Sequence, residues 1–230
     1  MKEFSRQNGA TEVKKKSVFI VDDHPLLRKG LALLINREPD LSVCGEAEEA
    51  QTAMKGITAN RPDIMIVDIS LNGPDGLDLL KNIRALYPDL PVLILSMHDE
   101  SIYAERALRA RANGYIMKQE ATEKVLIAVR CILSGEIYLS ERMSRKLLHQ
   151  YISGASAETT SQLSALSDRE LEVFRLIGEG RGTRQIADKL HISVKTVETY
   201  QAHIKSKLSL RSGRELVQHA IQSKIDEKAQ

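Results

Sequence analysis

The sequence has no tryptophan, only two cysteines and no long apolar run. A helix that spans a bilayer needs about 18 consecutive apolar residues, so we expect no membrane partner. The first sixteen residues, MKEFSRQNGATEVKKK, hold no apolar stretch of the kind found in secretory signals, which favours a cytoplasmic location. The cysteines, Cys44 and Cys131, stand in unrelated apolar contexts without metal-ligand spacing, and we interpret them as buried thiols.

The net charge of +2 hides an uneven distribution along the 230 residues. Residues 17–139 carry 13 basic and 18 acidic groups, a charge of −5, whereas residues 163–230 carry 12 and 9, a charge of +3. An acidic block followed by a basic block favours a regulatory domain followed by a nucleic-acid-binding domain, although a difference of this size is weak evidence alone.

Residues 17–134 alternate between short β-branched runs and segments with helical periodicity. The runs are Val18–Val21, Leu41–Cys44, Ile64–Val67, Val92–Leu95 and Tyr115–Met117, and the helical segments include Leu26–Ile35, Leu77–Leu86, Ile102–Arg111 and Val125–Leu133. This alternation predicts an α/β fold with a five-stranded, doubly wound parallel sheet. The runs VFIV, IMIV and VLIL are apolar throughout and indicate central strands, whereas the mixed segment LSVCGEA indicates an edge strand.

The remainder of the chain has a different organisation. We expect a disordered extension over residues 1–16, an α/β domain over 17–139, a partly helical linker over 140–165 and an all-α four-helix domain over 166–230. Within the linker, RKLLHQYI can extend as a helix, whereas the small and polar residues Ser153–Gln162 predict a flexible segment.

Polar residues follow four of the predicted strands, at the sheet edge where doubly wound folds bind ligands. They are Asp22, Asp23, Asp68, Ser96 and Lys118. Three carboxylates close together repel one another, and oxygen ligands of this kind suit Mg²⁺. An aspartate beside Mg²⁺, a lysine and a hydroxyl group can attack phosphorus and form an acyl phosphate.

Each of these residues has an ordinary interpretation when it is taken alone. An aspartate after a strand is commonly a helix N-cap or a solvated loop residue, and a single lysine is commonly solvated. Five matching positions are harder to explain in that way. His24 and His98 lie near the same edge, and we interpret them as loop residues without a direct role, while Gly76 serves the turn into the third helix.

The segments VDDHP, IVDISLNGPDG, LS and GYIMK resemble the receiver domain of two-component response regulators. The resemblance implies that Asp68 is phosphorylated by a sensor histidine kinase, and that Asp22, Asp23 and Asp68 hold Mg²⁺ together with the backbone carbonyl of Ser70. It also implies that Ser96 and Lys118 contact the phosphoryl group and that Tyr115 shifts inward with Ser96 as a switch. The family usually has Met-Pro where this chain has Leu71-Asn72, which affects loop stiffness more than chemistry.

The last sixty residues are helical in pattern. Ser167 and Glu170 form a predicted capping box, and the helix after it buries Leu171, Phe174, Leu176 and Ile177. Thr183 is expected to cap a short helix with Ile186, Ala187 and Leu190. Ser193 is expected to cap a helix that runs through Lys207 and buries Val194, Val197 and Ile204, and a fourth helix begins near Ser212. The arrangement indicates a helix-turn-helix, although a plain helical bundle gives similar signals.

The string LSDRELEVFRLIGEGRGTRQIADKLHISVKTVETYQAHIKSKL resembles the LuxR-type output domain of the NarL/FixJ family. The resemblance implies that Val194–Lys207 is the recognition helix. Its groove-facing candidates are Lys195, Glu198, Thr199 and Ala202, with His203 and Lys205 to one side, and its phosphate-contact candidates are Lys195, Thr196, Tyr200, Lys205 and Lys207. Because Ala202 is small, DNA shape is expected to contribute to discrimination. Glu198 has an alternative role, in an ion pair with a lysine one turn away.

These features together predict a phosphorylation-regulated bacterial transcription factor that binds double-stranded DNA and forms a homodimer when active. It would be no enzyme beyond its own phosphorylation and dephosphorylation. A phosphatase of the haloacid dehalogenase type is the first alternative, but those enzymes usually have a second aspartate where this chain has Ser70, and residues 166–225 would be unexplained. The second alternative is a constitutive DNA-binding module, which leaves the acidic pair and Lys118 without a role.

Overall fold

The computed structural model describes residues 15–71, 76–97, 100–153, 163, 165–190 and 192–229. These residues form two compact units. The first contains residues 15–71 and 79–138, and the second contains residues 76–78 and the described residues from 139 onward. No helix among the described residues is long and apolar enough to cross a membrane.

The first unit is built on a five-stranded sheet. Its strands are β1 (Lys16–Val21), β2 (Leu41–Ala47), β3 (Ile64–Asp68), β4 (Val92–Ser96) and β5 (Gly114–Met117). All neighbouring pairs are parallel, and the spatial order is β2-β1-β3-β4-β5. β3 and β4 are buried at every position, and the mixed strand β2 lies at an edge. The predicted doubly wound parallel sheet is therefore confirmed.

Five helices alternate with the strands. They are α1 (Pro25–Asn36), α2 (Ala50–Asn60), α3 (Gly76–Leu86), α4 (Glu100–Arg109) and α5 (Ala121–Leu133), and a short 3-10 turn covers Lys118–Glu120. α1 has a proline at its first position, where the missing amide proton costs nothing. α4 begins and ends two residues earlier than the sequence pattern predicts. It cannot continue through Arg111, whose φ of 65° is left-handed.

The chain returns to the edge of the sheet after α5. The amide of Tyr138 donates to the carbonyl oxygen of Asn113 at 2.9 Å, and the amide of Tyr115 donates to the carbonyl oxygen of Tyr138 at 3.1 Å. Tyr138 thereby forms a single parallel bridge with Gly114 in β5. A Cβ atom on Gly114 would lie 2.8 Å from the carbonyl oxygen of Tyr138, so the bridge requires glycine at this position.

The second unit is helical among its described residues. It contains α6 (Glu141–Ser153), α7 (Asp168–Gly178), α8 (Thr183–Leu190), α9 (Val194–Lys207) and α10 (Gly213–Ala229). The four helices expected after residue 166 are therefore present. α6 agrees with the expected helix around RKLLHQYI, whereas residues 154–162 of the predicted flexible segment lie outside the described residues.

Three details differ from the sequence-based expectations. Thr183 is the first residue of α8, and Gly182 takes the cap position that we expected for it. The carbonyl oxygen of Gly182 accepts the hydrogen bond from the amide of Ile186, and the Gly182 amide donates to the Gln185 side chain at 2.9 Å. Val194 is 39% exposed, whereas Val197 and Ile204 are fully buried as expected. Cys44 and Cys131 are free thiols, but both are only partly buried.

Candidate phosphorylation site and nucleic-acid interface

Four of the five polar residues predicted at the carboxyl edge of the sheet are buried there. They are Asp22, Asp68, Ser96 and Lys118. The Lys118 Nζ atom lies 2.7 Å from Oδ2 of Asp68 and 2.8 Å from Oδ2 of Asp22. The lysine therefore bridges the carboxylates at the ends of β1 and β3, although it lies fifty positions after Asp68 in the chain.

Burial and the neighbouring charges act in opposite directions on the pKa values of Asp68 and Lys118. Burial raises the pKa of the Asp68 carboxyl, and the ammonium of Lys118 only partly offsets that effect. Burial lowers the pKa of Lys118, but Asp68 and Asp22 outweigh it and raise that pKa above its ordinary value. The lysine is therefore held in its charged form. Lys118 contacts two carboxylates, Asp22 and Asp68, and Asp23 follows directly in the chain, so the carboxylates outnumber the ammonium group and favour a further cation.

The residues present fit a divalent metal ion. Asp22, Asp23, His24 and Asp68 each offer a ligand atom, and these atoms all lie within 4.8 Å of one another. Oδ2 of Asp22 and Oδ1 of Asp23 are buried, and neither accepts a hydrogen bond of good geometry within the described residues. Their close contacts are with Nζ of Lys118 and with Nδ1 of His24, respectively. Buried carboxylate oxygens of this kind are the hard donors that Mg²⁺ requires.

His24 contributes more to the acidic group than the sequence indicated. Its Nδ1 atom lies 2.7 Å from Oδ1 of Asp23 and 3.3 Å from Oδ1 of Asp22, and its backbone amide donates to Oδ1 of Asp22 at 2.7 Å. The sequence alone predicts a loop residue without a direct role, whereas the structure places it against both aspartates. Its position immediately after the acidic pair was the available signal.

The other predicted residues of this site are placed as follows. The amide of Ser70 donates to Oδ1 of Asp68 at 3.1 Å, so both Asp68 oxygens have a contact. Ser96 ends β4 and is fully buried, and Tyr115 in β5 is 1% exposed. Asn72 and His98 lie outside the described residues.

The predicted recognition helix corresponds to α9. Ser193 caps it, because its hydroxyl accepts from the amide of Thr196 at 3.0 Å. The predicted DNA contacts fall into two groups by exposure. Lys195, Glu198, Thr199, Ala202, His203 and Lys207 are exposed, and Thr196, Tyr200 and Lys205 are partly buried. Within the described residues Glu198 forms no ion pair, so the lysine pairing that we considered for it does not occur there.

Two of these residues contact Glu170 in α7. Nζ of Lys207 lies 2.6 Å from Oε2 of Glu170, and Nδ1 of His203 lies 3.5 Å from Oε1. Glu170 also completes the predicted capping box, since its carboxylate accepts from the amide of Ser167 at 2.6 Å. The capping box is predicted by the sequence, whereas the contact between Glu170 and α9 depends on how the two helices pack.

Family models match both halves of the chain. Residues 18–130 match the response regulator receiver domain, and residues 164–220 match the bacterial regulatory proteins of the luxR family. The oxygen regulatory protein NreC of Staphylococcus aureus strain JH9 is 36% identical over 212 residues, which covers 90% of this chain and 98% of that protein. The chain belongs to the NarL/FixJ family of response regulators.

Solved structures agree with this membership. A LuxR-family two-component response regulator from Aurantimonas sp. SI85-9A1 has a TM-score of 0.57 and 31% identity, over 60% of this response regulator and 99% of that chain. RcsB of Salmonella typhimurium has a TM-score of 0.61 and 26% identity, over 91% and 98%. An RcsB–DNA complex has a TM-score of 0.55 and 26% identity, over 91% and 99%. The resemblances read from the sequence are therefore confirmed for both units.

Proposed function

We propose that this response regulator accepts a phosphoryl group on Asp68 from a sensor histidine kinase and that phosphorylation controls DNA binding by α9. The contact that carries the proposal is the bridge from Lys118 to Asp68 and Asp22, at 2.7 and 2.8 Å. It places a buried carboxylate, a charged lysine and a second carboxylate at the ligand-binding edge of a doubly wound sheet.

The chemistry assigns a role to each side chain. A carboxylate oxygen of Asp68 attacks phosphorus, the bond from phosphorus to the donor nitrogen of the kinase histidine breaks, and an acyl phosphate forms. Lys118 pairs with the transferred phosphoryl oxygens, and the Ser96 hydroxyl donates to one of them. Asp22, Asp23 and Asp68, with the backbone carbonyl of Ser70, would hold Mg²⁺. The metal would supply positive charge that stabilises the phosphoryl group in transfer.

The switch must connect this site to a change elsewhere. Phosphorylation adds about −1.5 to −2 units of charge at a buried position. Ser96 and Tyr115 lie on the neighbouring strands β4 and β5, and we propose that they shift together when the phosphoryl group is present. The added charge can change DNA binding only if it favours one of two conformations of the protein. We propose that these two conformations differ in the positions of the Ser96 and Tyr115 side chains.

The output is DNA binding by a dimer. Solved structures of RcsB include two dimers bound to two DNAs and a promoter complex in the presence of the phosphomimetic BeF₃⁻. By analogy, we propose that the active form is a homodimer that places two α9 helices in successive major grooves, about 34 Å apart. The expected base contacts are Lys195, Glu198, Thr199 and Ala202. The expected phosphate contacts are Lys195, Thr196, Tyr200 and Lys205, with His203 at the side. Lys207 is the weaker candidate among the predicted phosphate contacts, because it pairs with Glu170.

The domain limits follow from the same assignment. We place the receiver at residues 17–139, a linker at 140–165 and the DNA-binding domain at 166–230, with 1–16 as an extension. Because promoter DNA is the proposed target, we place the protein in the cytoplasm. We propose no catalytic activity apart from phosphorylation and dephosphorylation of Asp68.

The first test is intact-mass analysis after incubation with acetyl phosphate and Mg²⁺. The wild type is expected to gain one phosphoryl group, and Asp68→Asn is expected to gain none. Asp63→Asn, which changes a carboxylate at the opposite end of β3, serves as the matched control and is expected to gain one phosphoryl group, as the wild type does. A phosphoryl group that persists in Asp68→Asn would contradict the assignment, and steady hydrolysis of an external phosphoester would favour the phosphatase alternative.

The second test measures DNA affinity in four samples: wild type and Asp68→Asn, each with and without acetyl phosphate. The wild type is expected to bind a target promoter more tightly after phosphorylation, whereas the two Asp68→Asn samples are expected to bind equally. Equal affinity in all four samples would show a constitutive DNA-binding module.

A further inference from the structure

Arg28 is a buried arginine in the first turns of α1, close to the acidic pair that ends β1. Only 7% of its surface is exposed, although arginine is rarely buried without partners. Its guanidinium has three partners. Nη1 donates to the carbonyl oxygen of Asp22 at 2.5 Å, Nη2 donates to Glu48 at 2.6 Å, and Nε donates to Glu46 at 3.2 Å.

The contact with Asp22 acts on the main chain of the acidic pair. The carbonyl of Asp22 belongs to the peptide that joins Asp22 to Asp23, so a short charged hydrogen bond to that oxygen fixes the plane of the peptide. The amide of Asp22 is held from the other side, since it donates to the carbonyl oxygen of Ala47 at 3.1 Å. Both main-chain groups of Asp22 are therefore fixed, one by Arg28 and one by the end of β2.

The charge of Arg28 is neutralised by Glu46 and Glu48 and not by the acidic pair Asp22 and Asp23. Glu46 and Glu48 stand at and just after the end of β2, and their side chains are 38% and 68% exposed. Two carboxylates more than neutralise one guanidinium, so Arg28 adds no net repulsion toward a cation nearby. The planar fork of arginine can reach a carbonyl and two carboxylates at once, which a lysine ammonium on a flexible stem does less well.

We infer that Arg28 is a positioning residue for the divalent cation: it sets the geometry of Asp22 and Asp23 through the peptide between them. Its guanidinium reaches the main chain of Asp22, and a positively charged donor group cannot itself be a metal ligand. The inference rests on the metal site of the proposed function and adds a residue that sequence analysis did not single out. Residues that orient metal ligands from behind typically change metal affinity by tenfold to a hundredfold when they are replaced.

The test compares Mg²⁺ affinities of full-length variants by NMR titration of the backbone amides of Asp23 and Ser70, without a phosphodonor. Arg28→Gln is expected to raise the Mg²⁺ Kd at least tenfold. Arg28→Lys keeps one donor near the carbonyl and is expected to fall between the wild type and Arg28→Gln. Glu48→Gln keeps the contact with Asp22 and is expected to stay within twofold of the wild type.

Thermal unfolding without Mg²⁺ separates positioning from a structural role. If Arg28 only stabilises the fold, the variants lose Tm while those that remain folded bind Mg²⁺ as the wild type does, and this result would overturn the inference. If Arg28→Gln does not fold, Arg28→Lys takes its place in the test. A Mg²⁺ Kd in Arg28→Lys that equals the wild-type Kd would also overturn the positioning role. A wild type that binds no Mg²⁺ would overturn both the inference and the proposed metal site, whereas normal wild-type binding with unchanged variants overturns the inference alone.

Discussion

Lys207, at the last turn of α9, forms an ion pair with Glu170, in the first turn of α7: Nζ lies 2.6 Å from Oε2. Burial alone would raise the pKa of Glu170, but Lys207 and the capping contacts with Ser167 outweigh it and hold that pKa below its ordinary value. The carboxylate is therefore ionised at neutral pH and fixes the end of the proposed recognition helix to the neighbouring helix. A lysine held in this way is a poor candidate for the phosphate contact that we expected from its position.

This ion pair predicts how DNA binding depends on salt. Each lysine that neutralises a DNA phosphate contributes about one unit to the slope of log K against log salt concentration. Lys207→Ala is expected to weaken DNA binding at every salt concentration without changing the slope, because its charge is already compensated by Glu170. Lys195→Ala, which removes an exposed lysine in the first turn of the same helix, is expected to lower the slope by about one unit. A similar drop in Lys207→Ala would show that Lys207 does contact phosphate.

Lys118→Met is expected to destabilise the receiver in the absence of metal. The substitution leaves Asp22 and Asp68 as neighbouring buried carboxylates without their ammonium, which typically costs about 3 kcal/mol. Mg²⁺ should then raise the Tm of this variant more than that of the wild type, since the cation replaces the lost charge. Lys124→Met removes the more exposed ion pair with Glu120 and serves as the control, with an expected loss below about 1 kcal/mol. Equal Mg²⁺ effects on wild type and Lys118→Met would contradict this account of the charge balance.

Gly178→Ala is expected to destabilise the helical unit. A Cβ atom at Gly178 would lie 2.5 Å from the carbonyl oxygen of Ala220, so α7 and α10 would have to move apart. Backbone shifts of this kind cost about 1–3 kcal/mol, which urea unfolding of the isolated unit or the full chain can measure. Gly213→Ala is the control, because nothing lies within 4 Å of a Cβ atom there, and its unfolding midpoint should stay within error or rise.

The lowered pKa of Asp63 predicts that the free energy of unfolding decreases in acid. Hydrogen bonds from the amide and hydroxyl of Ser17 and from Lys16 overcome the effect of burial and lower the pKa of Asp63 from 3.8 to about 2. Because the folded-state pKa lies below the unfolded value, the stabilisation is complete above about pH 4 and disappears as the pH falls toward 2. With allowance for solvent screening, the effect is about 1 kcal/mol.

Unfolding free energies of wild type and Asp63→Asn, measured between pH 7 and pH 2, check this prediction. The variant should be less stable at neutral pH, and the two curves should converge at the acidic end. Glu123→Gln, at an exposed position on α5, should run parallel to the wild type. A constant difference between wild type and Asp63→Asn across the whole range would exclude the proposed titration.

The sequence predicts the framework well because the relevant signals are local. Runs such as IMIV and VLIL are apolar at every position, as expected of strands covered on both faces, and they coincide with the central strands β3 and β4. The mixed segment LSVCGEA coincides with the edge strand β2. α2 was not singled out, since AQTAMKGITAN has few large apolar residues to mark a helical face. Val194 was wrongly expected to be buried, because periodicity gives the face of a helix but not how far its neighbours cover that face.

The candidate site was predictable in part for the same reason. Strand ends can be read from the sequence, so Asp22, Asp68, Ser96 and Lys118 were found. The role of Arg28 cannot be predicted from the sequence. Its partners Glu46 and Glu48 lie at the C-terminal end of β2, and they meet Arg28 only after the sheet has formed. The contact between Glu170 and Lys207 spans 37 residues and likewise depends on how two helices pack.

The bridge between Tyr138 and Gly114 also affects how the protein behaves at high concentration. An edge strand presents unpaired amides and carbonyls that a second chain can use to extend the sheet. At β5 the carbonyl of Asn113 and the amide of Tyr115 are already occupied by Tyr138. A foreign strand would have to displace the protein's own chain before it could pair there, so this short return disfavours edge-to-edge pairing at β5.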